Sequence, residues 1–177
     1  MDKVINNCQI TKSDAKVIKE YVYDASNPLY KKYGGYSSGI ELSAYNIYSL
    51  YAGTVAYVGK FEKRYTVIIA YDKEHRVSYN LLTKVLCKPN EFVDIGTLIG
   101  YTNKSVRFEY LTLDKSRWPV RVLNDTYYKN DPTDVLLSGG ASLYQYDKSV
   151  SLSLPDDKYI ATQPFNFQDK QSLNLDF

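Results

Sequence analysis

Apolar and polar side chains alternate through the middle of this chain. In SVRFEY, Ser105 to Tyr110, Val106, Phe108 and Tyr110 fall on one face of an extended segment and Ser105, Arg107 and Glu109 on the other, because strand side chains point alternately up and down. Such a strand is half buried, or it displays catalytic groups on its polar face. Similar β-branched and aromatic runs occur at 47–52, 54–59, 64–71, 76–82, 97–102 and 105–113, separated by Gly, Asn, Asp and Pro. They predict an antiparallel assembly. The runs are too close together for the helical crossovers that parallel strands need. Ahead of them, SDAKVIKEYVY at 13–23 places Ala15, Ile18 and Val22 at helical spacing behind Ser13 or Asp14, which predicts a short N-terminal helix. Asn27-Pro28 and Gly34-Gly35 then break the pattern.

From about residue 145 the pattern changes. SVSLSL at 149–154 alternates, Pro155 interrupts it, and the last thirteen residues carry Phe165, Phe167, Leu173, Leu175 and Phe177 in a polar background. So polar a segment buries too little surface to fold alone, and it reads as an extended arm laid on another surface or as a disordered tail. The expected organisation is a lead-in over 1–32, a β domain over 33–144 and an arm over 145–177.

Composition narrows the function. With 22 Lys+Arg against 20 Asp+Glu and no basic run, the chain lacks the concentrated positive charge that answers phosphates, so no nucleic-acid partner is expected. No apolar stretch approaches a membrane span or a signal-peptide core, and no membrane partner or export is expected. Cys8 and Cys87 lie in no ligand spacing and read as reduced thiols. His75, the sole histidine, stands among loop charges in Asp72-Lys73-Glu74-His75-Arg76, where a solvated side chain is the expectation. Glu41, Glu62, Asp72, Glu74, Asp94 and Glu109 have no spacing that pairs two of them. Phosphate-loop, dinucleotide and nucleophile-elbow patterns are missing. The 19 tyrosines suit half-buried sheets and protein interfaces.

The order of the segments resembles a known family, the lysostaphin-type (LytM/EnvC-class) zinc endopeptidases. The family's His-x-Gly-x-Asp matches Ser37-Ser38-Gly39-Ile40-Glu41, and its Ala-Gly-Val strand entry matches Ala52-Gly53-Thr54-Val55. Its Tyr-x-His-Leu matches Tyr79-Asn80-Leu81-Leu82. Its Val-x-x-Gly-x-x-Ile-Gly turn is met position for position by Val93-Asp94-Ile95-Gly96-Thr97-Leu98-Ile99-Gly100. The closing His-x-His-Phe-Glu strand is similar to Ser105-Val106-Arg107-Phe108-Glu109, and an Asn-Pro-like helix start or turn to Asn130-Asp131-Pro132 before Val135-Leu136-Leu137.

The resemblance implies a mainly antiparallel β-sheet or half-barrel of the lysostaphin-type class. Gly39, Gly53, Gly96 and Gly100 are expected to serve tight turns or positive φ, with Val55, Val93, Ile99 and Phe108 in the core. It also implies that the chemistry is lost. Ser37, Glu41 and Arg107 stand at the metal-ligand positions, and Leu81 and Ser105 at the positions of the assisting histidines. A guanidinium has no lone pair to donate and repels a dication, so no metal and no cofactor are expected. Arg107 is expected either to pair with Glu41 or to point to water. The resemblance and these losses together imply a pseudoenzyme acting through binding: a structural component of a virion, at the baseplate or tail hub of a contractile-tailed phage, meeting other structural proteins or further copies of itself through the arm and tyrosine-rich surfaces. The alternative is a catalytically dead regulator of peptidoglycan hydrolases or a peptidoglycan-binding module.

Overall fold

A computed structural model describes residues 3–72, 74–112, 118–122 and 125–139. The expected arm at 145–177 lies outside the described residues. Among the described residues, thirteen strands and two short helices are formed in chain order: β1 (Val4–Cys8), β2 (Ser13–Lys19), α1 (Pro28–Tyr33), β3 (Ile40–Ser43), β4 (Asn46–Tyr48), β5 (Gly53–Phe61), β6 (Arg64–Ala70), β7 (His75–Leu82), β8 (Lys84–Val85), β9 (Phe92–Val93), β10 (Leu98–Tyr101), β11 (Ser105–Thr112), β12 (Trp118–Val122), β13 (Asp125–Asn130) and α2 (Thr133–Leu137). The large sheet runs β1-β2-β3-β11-β7-β6-β5-β9, and β4-β10-β8 form a small one. All described pairings are antiparallel.

Strand β11 is the axis of the molecule. One of its edges pairs with β7 over residues 107–112, Arg107 opposite Asn80 and Glu109 opposite Ser78. The other edge is shared: β3 takes residues 105–108 and β13 takes 110–112. Val106 and Phe108 turn towards a core that also holds Ile40, Leu42, Val67, Ile69, Val77 and Tyr79 from the large sheet, with Ile47 and Ile99 from the small one. Burying a side chain such as Phe108 is worth about 1.5–3 kcal/mol. Tyr79 brings a hydroxyl into this core, where it accepts the Leu50 amide at 2.9 Å. Burial pushes that phenol well up, against the lowering effect of the amide.

The expected helix at 13–23 is instead β2. Ala15 is buried there and Val17 packs against the core, a period of two, while the backbone is taken up by β1 on one side and β3 on the other. The helix that forms lies later, between the two breaks. Asn27 caps α1 by accepting the Leu29 amide at 2.9 Å, Pro28 occupies its first turn, and Gly34 closes it at φ 74°. Among the four glycines expected in turns, only Gly96 has a positive φ, 77°. Gly39, Gly53 and Gly100 serve close approach instead: a Cβ at each would run into the carbonyl oxygen of Phe108, Ala70 or Lys84.

Candidate functional site

The polar face of β11 is not half buried. All eight residues of the strand are buried, Ser105, Arg107 and Glu109 included. Glu109 is 1% exposed, and a carboxylate so placed must be answered on every side. Lys129 Nζ, reaching in from β13, lies 3.2 Å from its Oε2. Arg107 Nε lies 3.5 Å from the same oxygen, a Coulombic contact more than a well-formed hydrogen bond. Ser38 Oγ donates to Oε2, and Asn80 Nδ2 donates to Oε1 at 3.3 Å. Asn80 is itself fixed, donating to the Arg107 carbonyl at 3.0 Å and accepting from Thr66 Oγ1 at 2.8 Å. Burial pushes the Glu109 carboxyl upward, but Lys129, Arg107 and the Ser38 hydroxyl outweigh it and hold the group below the usual carboxylate range.

The positions aligned with the family's metal ligands and assisting histidines are found around this cluster. Glu41 and Asn80 flank Arg107 as its cross-strand neighbours on β3 and β7. Glu41 nevertheless does not pair with Arg107: its Oε2 accepts from Ser105 Oγ at 3.0 Å, and the carboxylate beside Arg107 is Glu109. The expectation of an Arg107–Glu41 pair is corrected, as is the alternative of a solvated Arg107, which is 7% exposed. Ser37 Oγ donates to the Gly39 carbonyl at 3.1 Å, and the Ser37 amide donates to Val22 at 3.0 Å.

Leu81 sits at a bulge, because Tyr79 pairs with Val67 and Leu82 with Tyr65, so Asn80 and Leu81 both oppose Thr66. Its φ is 73°, a left-handed conformation that is unfavourable for a leucine. The Leu81 carbonyl accepts from Thr102 Oγ1 at 2.9 Å and Arg64 Nη1 at 3.4 Å.

These residues do not fit a zinc ion. Ser37 and Ser105 spend their hydroxyl protons on a carbonyl and a carboxylate, Arg107 has no lone pair, and Glu109 is held between two cations. Among the described residues no three His, Cys, Asp or Glu side chains converge where an ion could be held.

Sequence reasoning gave Lys129 no place and Ser38 no role beyond its position in the matched motif. Glu109 carried a signal, since it stands two residues from Arg107 on the same strand face; Lys129 carried none, because its approach depends on how β13 returns to β11. His75 also departs from expectation. It is buried, with Nδ1 3.0 Å from Asp72 Oδ1, and Asp72 also accepts the amides of Glu74 and His75. Cys8 and Cys87 are buried free thiols, and burial pushes Cys87 up to about 11.

No protein-family model and no curated protein matches the chain. Solved structures do. Lysostaphin from Staphylococcus simulans is similar at a TM-score of 0.53 and 20% identity, over 85% of this chain and 56% of that one. A chain of the complex of SpoIIIAH and SpoIIQ is similar at 0.55 and 16% identity, over 75% of this chain and 99% of that one. LytU is similar at 0.50 and 22% identity, over 71% and 89%. The fold is therefore a mainly antiparallel β architecture like that of lysostaphin-type peptidase domains. The chain spans little more than half the length of lysostaphin. Among the described residues, no helix is long and apolar enough to cross a membrane.

Proposed function

We propose that this protein is a non-catalytic building block, a peptidase-like fold that works by assembling with other proteins. The observation that carries the reading is the pair of cations, Arg107 and Lys129, closing on a buried Glu109 beside the positions where the peptidases hold zinc. Two cations so placed repel a dication, and the carboxyl between them, held below its usual range, is a weak base. Support for assembly comes from two further features. A chain of similar fold occurs in the SpoIIIAH–SpoIIQ complex, which is an assembly of two proteins. Among the described residues, large apolar and aromatic side chains also stand in solvent, Tyr45 at 71% exposed, Leu137 at 62% and Phe92 at 57%, residue types that protein interfaces use.

The particular assembly we propose is a virion tail or baseplate hub, where the protein would be a structural component lying against other structural proteins. Regulation of peptidoglycan hydrolases, or binding of peptidoglycan, is the competing role. The test has two arms. Purified protein is dialysed against zinc, its metal content measured, and its action on isolated peptidoglycan followed by release of soluble fragments. Substoichiometric zinc and no release are expected; one zinc per chain together with release overturns the proposal. Determining the protein's copy number in its native particle then separates a virion component from a regulator, which would co-purify with a hydrolase.

A further inference from the structure

The large sheet ends on β1 and β9, and its two ends are finished differently. An open sheet edge is a row of unpaired N–H and C=O groups that another strand can join. At β1 the edge is disarmed: Asn7 is left-handed at φ 51°, the ladder slips between Ile5 and Cys8, and the Asn7 amide is taken by Asp14 Oδ1 at 2.8 Å. At the other end β5 is covered only in part. β9 pairs with Gly53 and Thr54, and the loop ahead of it takes the next residue, the Val55 amide donating to Glu91 and the Val55 carbonyl accepting from Asn90, both at 2.8 Å. A bulge follows between Val55 and Tyr57, and beyond it β5 and β6 run on as a ribbon to Phe61 and Arg64.

The ladder fixes which groups of that ribbon face outward. Phe61 and Arg64 flank a two-residue turn whose first residue, Glu62, has a φ of 58°, so Phe61, Gly59 and Tyr57 exchange bonds with β6 while the N–H and C=O of Val58 and Lys60 point away from it. Among the described residues nothing bonds to those four groups. Nor do the side chains shield them. Val58 packs against the core, Gly59 has no side chain, and the Lys60 ammonium lies 5.3 Å from the centre of the Tyr65 ring on β6, drawn inward where a protective lysine would project past the edge. Charge selects the guest. Lys60, Lys63 and Arg64 stand against Glu62 alone at the end of the ribbon, net +2, so a second copy would set like charges side by side, whereas an acidic strand is attracted.

We propose that the outer edge of β5 at Val58–Lys60 is a strand-addition site, and that its partner is an extended acidic segment of another protein. The site rests on the assembly reading and names the surface that reading needs. Amide exchange and chemical shifts of the full chain test it, with a blocked hexapeptide of alternating glutamate and valine as the probe. In the free chain the Val58 and Lys60 amides should exchange openly while those of Gly59 and Phe61 are protected. The peptide should bind saturably and protect Val58 and Lys60. Lys60→Pro removes one outward amide and none of the bonds to β6, and should weaken binding about fivefold, the worth of one hydrogen bond. Exchanging the peptide's glutamates for lysines should also weaken it about fivefold. The same peptide methylated on its edge-facing backbone nitrogens should not bind, a control that leaves the protein untouched. Protected Val58 and Lys60 amides in the free monomer overturn the proposal, as do absence of saturable binding, a methylated or lysine peptide that binds as tightly, and a Lys60→Pro chain that binds like the parent. Protection that grows with protein concentration in the absence of peptide overturns it too, by making a second copy the guest. Shifts confined to another face overturn this edge and leave the assembly reading standing, since that reading falls only to one zinc per chain with release of peptidoglycan fragments.

Discussion

The two faces of β11 are buried to the same degree and by opposite means. On one, Val106 and Phe108 pack against Ile40, Leu42 and Tyr79, and the edge-on ring pair of Tyr79 and Phe108 has its centres 5.4 Å apart. On the other, Ser105, Arg107 and Glu109 are held by Glu41, Lys129, Ser38 and Asn80. The first face gains from every group that leaves water. The second must repay the desolvation of three charges, and its pieces are stable only together. The comparison teaches that alternation in a sequence reports polarity, which need not be exposure.

The largest effects should come from single removals on either face, for different reasons. Phe108→Ala leaves a cavity in the core and should cost about 3–5 kcal/mol in denaturant unfolding. Glu109→Ala should cost a similar amount, about 3–5 kcal/mol, because Lys129 and Arg107 are then buried without their carboxylate. The two variants are told apart by what rescues them. Replacing the whole set, Arg107→Met with Glu109→Leu and Lys129→Met, should recover most of the Glu109→Ala loss, since the desolvation penalty disappears with the charges; nothing on the polar face should recover Phe108→Ala. If the triple variant is no more stable than Glu109→Ala, the polar face is held by packing and not by balanced charge.

Acid should discriminate the faces more gently. Because the Glu109 carboxyl is held below its ordinary range in the fold, the folded state binds its proton less readily than the unfolded chain. Its stabilisation is thus fully present above the unfolded carboxylate value, near 4.3, and is lost as pH falls through the lower, folded one. Unfolding free energy followed from pH 6 to pH 2 should fall less steeply in Glu109→Gln than in the parent, and should fall in parallel with the parent in Phe108→Ala. A Glu109→Gln profile as steep as the parent's would mean that other carboxylates govern the acid limb.

The same contrast explains what could be read from the sequence. Runs with β-branched and aromatic residues at period two gave β5, β6, β7, β10 and β11 close to their true bounds, because burial of one face and strand propensity agree there. They disagreed at 13–23, where Ala15, Ile18 and Val22 fit a helical stripe while Ala15 and Val17 fit a strand. Pairing with β1 and β3 decided the matter, and such partners are not visible locally. Asn27-Pro28 and Gly34-Gly35 break the sequence pattern because they are the cap and the terminator of α1, the same residues serving either purpose. At the site, the ordered motifs single out Ser37, Glu41, Leu81, Ser105 and Arg107 but carry no information on their contacts. Which carboxylate meets Arg107 depends on a lysine from β13 and a serine ahead of β3, brought in by tertiary structure alone.

The smallest expected effect lies where the two faces meet, at consecutive leucines. Leu82 is fully buried in the core, whereas Leu81 is partly exposed at the bulge with φ 73°. Leu82→Ala should therefore cost about 2–5 kcal/mol. Leu81→Gly removes a partly buried side chain and loosens the unfolded chain, which disfavour folding, but it also relieves a left-handed conformation that costs a leucine about 1–2 kcal/mol. These contributions nearly cancel, and the unfolding midpoint of Leu81→Gly should stay within about 1 kcal/mol of the parent. A loss approaching that of Leu82→Ala would show that the residue at the former histidine position has become part of the core, and that the boundary between the packed face and the polar one runs on the other side of the bulge.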